Sequence, residues 1–225
     1  MRRCEKLEWI DRPDCPADLL AASDRLMAMI NRRFGGTRLV RTFIAGELRR
    51  RPGRPLRVLD LGSGSGDIPA AISRWARRRG LAVTFTCVDC RPTAGEVVDG
   101  VERVTADILD YAPERPHDCA VASMVLHHIP DEGIVRLLGR LRELAPRLFI
   151  NDLRRNWITY VAAGVLTAPW PAGVRHDALL SVRRGFRPRD LRRLLAGVPG
   201  VTARVRGIGL HRVVAVVDAD ERGPS

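Results

Sequence analysis

Residues 57–69, RVLDLGSGSGDIP, decide the fold. An apolar run leads into Asp60, and three glycines then alternate with serines: Gly62, Ser63, Gly64, Ser65 and Gly66. A short apolar run ending in a glycine loop reads as a buried strand, and the helical pattern that follows gives the first turn of a βα unit. Such a loop lets a ligand come very close to the backbone. Two phosphate-binding readings fail on the residues themselves. The dinucleotide fingerprint has its third glycine where Asp67 stands, and a carboxylate at a helix N-terminus repels a pyrophosphate. A Walker loop needs Gly-Lys-Ser/Thr, and the only lysine in the chain is Lys6. The ligand of this loop therefore carries no phosphate.

Outward from the loop, strands and helices alternate. Residues 82–89, 100–107, 117–126 and 147–152 read as strands, and about 67–79 and 131–145 as helices. This pattern predicts an α/β fold, a Rossmann-like doubly wound sheet that is mostly parallel and covered by helices on both faces. The C-terminal end differs. A helix near 185–197 precedes two strand-like runs, 200–209 and 211–219, joined by a glycine-containing turn and predicting an antiparallel hairpin at the sheet edge. Upstream, residues 17–34 and 37–50 read as N-terminal helices, the second capped by Thr37. "RRRPGRP", 49–55, separates them from the main domain. The expected organisation is a helical lid or extension over 1–54, a domain over 55–219 with an insertion over 154–185, and a disordered tail over 220–225.

The chain has 225 residues, of which 45% are hydrophobic, enough for a sizeable core. Its formal net charge of +12 invites a nucleic-acid reading. The arginines are nevertheless scattered in pairs and triplets along the whole chain, as solvated faces and helix C-terminal turns would be. Five cysteines with no secretory signal exclude a disulfide framework, and Cys87-x-x-Cys90 has no second pair for zinc. No apolar segment reaches the ~20 residues of a membrane span, so the expected location is the cytoplasm.

"LDLGSGSGD" resembles motif I of the class I S-adenosylmethionine-dependent methyltransferases: an acid, then x-G-x-G-x-G. The resemblance runs over about 55–217, with its parts in the family's order. It implies S-adenosyl-L-methionine as cofactor and S-adenosyl-L-homocysteine as product. It makes Asp89, 23 residues after Gly66, the acid that binds both ribose hydroxyls. It places Asp107 near the adenine amine with Ile108 packed on the ring, and it draws Asp60, Gly62, Ser63, Gly64, Gly66, Cys90 and Ser123 into the cofactor site. One carboxylate accepting both donors of a ribose diol is sound chemistry. A cationic sulfonium also suits the acids Asp60 and Asp67.

The end of the fourth strand reads "ASMVLHHIPD". It lacks the (N/D)-P-P-(Y/F) of enzymes that methylate exocyclic amines, and the only Cys-Pro is Cys15-Pro16, far from the pyrimidine-methylating position. "VLHHIPDEG" instead resembles the small-molecule branch of quinone and polyketide type, some of which carry Glu-His where His127 and His128 stand. With that glutamate replaced, no metal is expected. His127 and His128 fall at the carboxyl end of a strand, where open α/β sheets bind ligands, and are candidate bases, as is His176. Residues 154–185, with Trp157, Tyr160, Trp170 and Arg175, are expected to cover a small-molecule acceptor. The reading is O- or C-methylation of an aromatic or polyketide-like acceptor. An RNA or protein methyltransferase, or a non-catalytic cofactor-binding protein, is the alternative, and a homodimer stays open.

Overall fold

The glycine-loop strand, β1 (Leu56–Leu61), is an interior strand, third from one edge, of a seven-stranded sheet. In the computed structural model, which describes residues 1–92 and 98–220, the other strands are β2 (Val83–Asp89), β3 (Val101–Thr105), β4 (Cys119–Ser123), β5 (Arg147–Leu153), β6 (Val201–Ile208) and β7 (Arg212–Ala219). Their order is β3-β2-β1-β4-β5-β7-β6. Pairing is parallel from β3 to β5, whereas β7 runs antiparallel to both β5 and β6. The C-terminal hairpin expected at the edge therefore forms, with its second strand inserted between β5 and β6. The chain winds outward from β1 through β2 to β3, then returns to the other side of β1 at β4. That reversal opens a crevice at the carboxyl ends of β1 and β4, the standard place for a ligand in an open α/β sheet. The register makes it a usable site: Asp60 pairs with Cys87 and Val121, and Leu61 with Val88 and Ala122. Asp89 and Ser123 thus follow directly on the two strands flanking the glycine loop.

The near-continuous apolar character of β1 is explained by two cores, one on each face. Leu56 and Val58 pack with Val40, Ile44, Ile68 and Ile72, from α2 (Gly36–Arg50) and α3 (Asp67–Arg77). Leu59 and Leu61 face the other way, toward Ile134, Leu137, Leu141 and Leu191. These come from α4 (Asp131–Gly139), α5 (Leu141–Leu144) and α8 (Pro188–Ala196). Each such side chain contributes about 1.5–3 kcal/mol on burial. A third, smaller core joins α1 (Ala17–Arg33) to α7 (Ala172–Arg184) through Ala22, Leu26 and Val174. Before α7 lies α6 (Trp157–Leu166), so the 154–185 segment is a pair of helices.

Two local expectations change. The helix expected over 131–145 breaks at Arg140, whose guanidinium leaves the helical path to donate to the carbonyls of Leu109 at 2.8 Å and Tyr111 at 3.2 Å. Thr37 does not cap α2. Gly35, in the left-handed region at φ 83°, turns the chain so that the helix already starts at Gly36. Of the expected tail, residues 221–225 lie outside the described residues. Asp220 itself donates its N–H to Gly200 O at 2.9 Å.

Candidate active site

The crevice at the end of β1 is a cavity of about 570 Å³. Its floor is the glycine loop. Gly62 has φ 68°, and a Cβ there would come within 2.2 Å of Val125 Cγ2. Gly64, at φ 53°, has nothing within 4 Å of where its Cβ would be and lines the open side. Six aspartates line this cleft, Asp11, Asp24, Asp60, Asp67, Asp89 and Asp107, against the arginines Arg12 and Arg91. Burial, helped by the charges of Asp67 and Asp89, pushes the Asp60 carboxyl well above the usual range. Such a pocket favours a cation and disfavours phosphate, despite the positive net charge of the chain. Asp89 is buried; its Oδ2 accepts the Gly64 N–H at 2.8 Å and its Oδ1 the Arg91 N–H at 3.0 Å. Ile108 is a buried apolar surface in the same cleft, and Asp107 beside it is exposed and accepts the Leu109 N–H at 2.8 Å. Cys90 and Ser123 also line it, with Ser123 Oγ accepting from Asn151 Nδ2 at 2.8 Å. Gly66 is not in the wall. It is the left-handed residue, φ 74°, that starts α3. Among the described residues the buried Asn31 Oδ1 has no hydrogen-bond partner and the buried Ser63 Oγ has only the Cys87 thiol near it, so both can turn to a ligand.

A second cavity, of about 630 Å³, adjoins the first. The two share Ile10, Ser23, Met27, Met124 and His128. Their linings differ in kind. The second is walled by Leu26, Ile30, Leu153, Ile158, Ala162, Ala163, Leu166, Val174 and Val182, so it is apolar where the first is acidic. At the junction Met124 holds φ 61°, the one positive φ among the described non-glycine residues. Backbone strain of this kind costs about 1–3 kcal/mol and concentrates at functional sites.

The two adjacent histidines have different fates. His127 is buried behind the cavity wall. Its Nδ1 bonds to Asp152 Oδ1 at 2.7 Å, its backbone N–H donates to Asp152 Oδ2 at 3.2 Å, and its carbonyl accepts from Arg184 Nε at 2.9 Å. Burial disfavours the Asp152 carboxylate, but the His127 charge and hydrogen bond outweigh it and hold its pKa below the usual value. His128 is partly exposed, lines both cavities, and bonds through Nδ1 to Asp11 Oδ1 at 2.8 Å. Burial works against the Asp11 carboxylate too. There the His128 hydrogen bond and the charges of His128 and Arg184 win and bring its pKa to about 2. An N-terminal strap supplies Asp11. The strap is pinned to α7 because the N–H groups of Trp9 and Ile10 donate to Asp177 at 2.9 and 3.1 Å. It also buries Glu8, which accepts from Ser181 Oγ at 2.6 Å; burial pushes this carboxyl up to about 7. Glu8, His127 and His128 bring three ligand-type atoms within 4.8 Å of one another. Arg184 Nε sits 3.8 Å from the same Glu8 Oε1 that faces both histidines, a fixed positive charge that works against a metal ion there.

Residues 31–198 match the family described as "Methyltransferase domain". The chain belongs to the class I S-adenosylmethionine-dependent methyltransferases. Among curated proteins, the trans-aconitate 2-methyltransferase of Mycobacterium tuberculosis (strain ATCC 25177 / H37Ra) is 30% identical over 124 residues. That match spans 54% of this chain but only 42% of the relative. The trans-aconitate 2-methyltransferase of Azoarcus sp. (strain BH72) is 26% identical over 73% of this chain and 72% of its own length. In fold, the methyltransferase resembles the plantazolicin methyltransferase BpumL, solved with S-adenosylhomocysteine and a triazolic desmethyl analogue (TM-score 0.70, 14% identity, 95% of this chain and 93% of that one). It also resembles the Burkholderia thailandensis 1,6-didemethyltoxoflavin-N1-methyltransferase (TM-score 0.57, 18% identity, 91% and 89%).

Most cofactor residues expected for this methyltransferase meet in one cleft, while the acceptor residues do not. Trp157 is 63% exposed and packs edge-on against Tyr160 at 5.7 Å. Trp170 packs beside the α1–α7 core. Arg175 and His176 are exposed, His176 Nδ1 lying 3.0 Å from Asp177 Oδ1. None of these five lines either cavity, and nor does His127. Helical phase is the reason. The faces of α6 and α7 turned to the cavity carry Ile158, Ala162, Ala163, Leu166, Val174 and Ala178, so small and aliphatic side chains make the wall. Glu8, Asp11, Asn31 and Met124 were missed. Glu8 and Asp11 reach the site only by long-range packing of the strap, and no local spacing announces that.

Proposed function

We propose that this methyltransferase transfers the methyl group of S-adenosylmethionine to oxygen or carbon of a small, apolar, aromatic or polyketide-like acceptor. The observation that carries the reading is the pair of cavities, acidic and apolar, that meet at Met124 and His128. The cleft residues fit the cofactor: a carboxylate with lone pairs to spare at Asp89, an apolar ring surface at Ile108, and an acidic surround for a sulfonium and an ammonium. When bound, the cofactor supplies a methyl group already activated for displacement. The protein's work is then alignment and proton removal. The N-terminal strap and α1, together with α6 and α7, act as the lid that excludes water from the acceptor, whereas α2 belongs to the core beneath the sheet. Asp11 fixes the His128 ring through Nδ1, which leaves Nε2 to take a proton. An ordinary phenol and an ordinary imidazole differ by about 3.5 pKa units, or about 5 kcal/mol. Proton loss therefore accompanies methyl transfer rather than preceding it.

The relatives' names point to trans-aconitate, a tricarboxylate. Among the described residues a single arginine, Arg212, lines the apolar cavity, so the acceptor here carries more apolar surface and less charge. Labelled S-adenosylmethionine and a panel of hydroxyaryl and polyketide-like compounds test the reading. Label should pass to a panel member, and His128→Gln should lower kcat by about 10²-fold or more without changing cofactor affinity. Full turnover in that variant would remove the base. Transfer only to RNA or protein would overturn the acceptor class.

A further inference from the structure

Arg212 opens β7 and lines the apolar cavity, yet its side chain is almost fully buried, at 1% exposure. Among the described residues its Nε and Nη2 have no hydrogen-bond partner, and its Nη1 reaches only Asn151 Oδ1 at 3.5 Å. The carboxylate that acts on it, Asp152, is already bonded to the His127 ring and to the N–H groups of His127 and Leu153. A buried cation held by a single long hydrogen bond is costly and calls for a reason. The two free groups are the parallel N–H donors along one edge of the guanidinium, the fork that takes a planar carboxylate in bidentate fashion. Gly36 packs directly against this edge, where only a residue without a Cβ fits. A Cβ there would stand 3.1 Å from Nη2 and 2.6 Å from Asn31 Oδ1. Gly36 is the first residue of α2 and its φ is not positive, so backbone freedom does not explain the glycine.

We propose that Arg212 is the anion-binding residue of the acceptor cavity, and that the acceptor is an apolar molecule bearing a carboxylate held there. The proposal rests on the apolar cavity being the acceptor site. Arg212 is in the wall of that cavity and not of the acidic cleft, so the carboxylate belongs to the acceptor and not to the cofactor. The held carboxylate is a handle. Its lone pairs are engaged by the fork, and a group ionised near pH 4 needs no base. The His128–Asp11 pair serves a second group of the same acceptor, a hydroxyl or an acidic carbon. Burial depresses the guanidinium pKa, partly offset by Asp152, to about 10, so Arg212 stays charged at neutral pH.

Calorimetry with the protein saturated with S-adenosylhomocysteine tests this, using 4-phenylbutyrate and its uncharged counterpart 4-phenylbutan-1-ol. The wild type should bind the acid at least about tenfold more tightly, as expected for bonds between charged groups. Arg212→Gln should abolish that preference, and Arg212→Lys, which keeps charge but not the fork, should retain part of it. S-adenosylhomocysteine affinity should stay within about twofold throughout, since only the acceptor site is changed. Equal binding of the two probes, a preference surviving Arg212→Gln, or no binding of either at about millimolar concentration overturns the proposal. Weakened S-adenosylhomocysteine binding with the acid unaffected assigns Arg212 to the cofactor instead. If Arg212→Gln does not fold, undiminished preference in Arg212→Lys overturns it. The two readings separate: an alcohol that binds as well as the acid leaves the apolar cavity in place and removes only the role of Arg212.

Discussion

Replacing Asp89 by alanine tests the cofactor site where its geometry is most explicit. The carboxylate spends one acceptor position on the Gly64 N–H at 2.8 Å and one on the Arg91 N–H at 3.0 Å. A carboxylate offers about four such positions; Oδ1 also takes the Cys90 thiol at 3.9 Å and faces Arg91 Nε at 3.6 Å, so Oδ2 has a free position for one ribose hydroxyl and the second hydroxyl displaces the weak thiol contact on Oδ1. Bonds of this kind to a charged group are worth about 1.5–3 kcal/mol each. Water recovers part of that in the variant, so the floor is about 1.4 kcal/mol, a tenfold loss, and the ceiling about a thousandfold. Titration calorimetry with S-adenosylhomocysteine reads the number. Asp89→Asn keeps the shape and one acceptor oxygen and should fall between wild type and Asp89→Ala. An affinity for S-adenosylhomocysteine within about threefold of wild type in Asp89→Ala, with the fold intact, would refute the ribose assignment.

Three further outcomes follow from the same geometry. Glu8 has a folded-state pKa raised to about 7 from 4.5, so the native state holds a proton that the unfolded state has lost. Its contribution is complete below pH ~4.5 and fades as pH rises through ~7. Urea unfolding at pH 5 and pH 8 should show wild type losing more stability over that interval than Glu8→Gln, and parallel curves would contradict the burial argument. Asp11→Asn should lower kcat about tenfold or more by releasing the His128 ring, with S-adenosylhomocysteine affinity changed much less. Kinetics indistinguishable from wild type would make the pair merely structural. Ala163→Trp should fill the apolar cavity and suppress methyl transfer, whereas Trp157→Ala should leave acceptor KM within about twofold because that ring points to solvent. A reversed pattern, read from acceptor kinetics, would return the aromatic side chains to the site.

The difference between what the sequence revealed and what it hid is one of range. The β1 loop, Asp89 and Asp107 follow their strands at short, fixed offsets, and a parallel sheet makes such offsets spatial, so the cleft could be read residue by residue. The alternating αβ pattern likewise fixed the sheet, because runs buried on both faces have few other solutions. The acceptor side depends on helical phase and on the N-terminal strap. In α6 the apolar residues run almost all round the helix, so periodicity did not tell which face looks inward. The large aromatics Trp157 and Tyr160 then drew attention to the outer face. Asp11 meets His128 across 117 residues of chain. His127 and His128 are identical in sequence terms, and only the turn after β4 sends one behind the wall and the other into the cavity.

The most direct test of the account is a crystal structure with S-adenosylhomocysteine bound. The ribose should lie on Asp89 and the sulfur at the junction lined by Met27, Met124 and His128, facing the apolar cavity between α1, α6 and α7. A sulfur directed away from that cavity, with His128 out of reach of the methyl path, would contradict it.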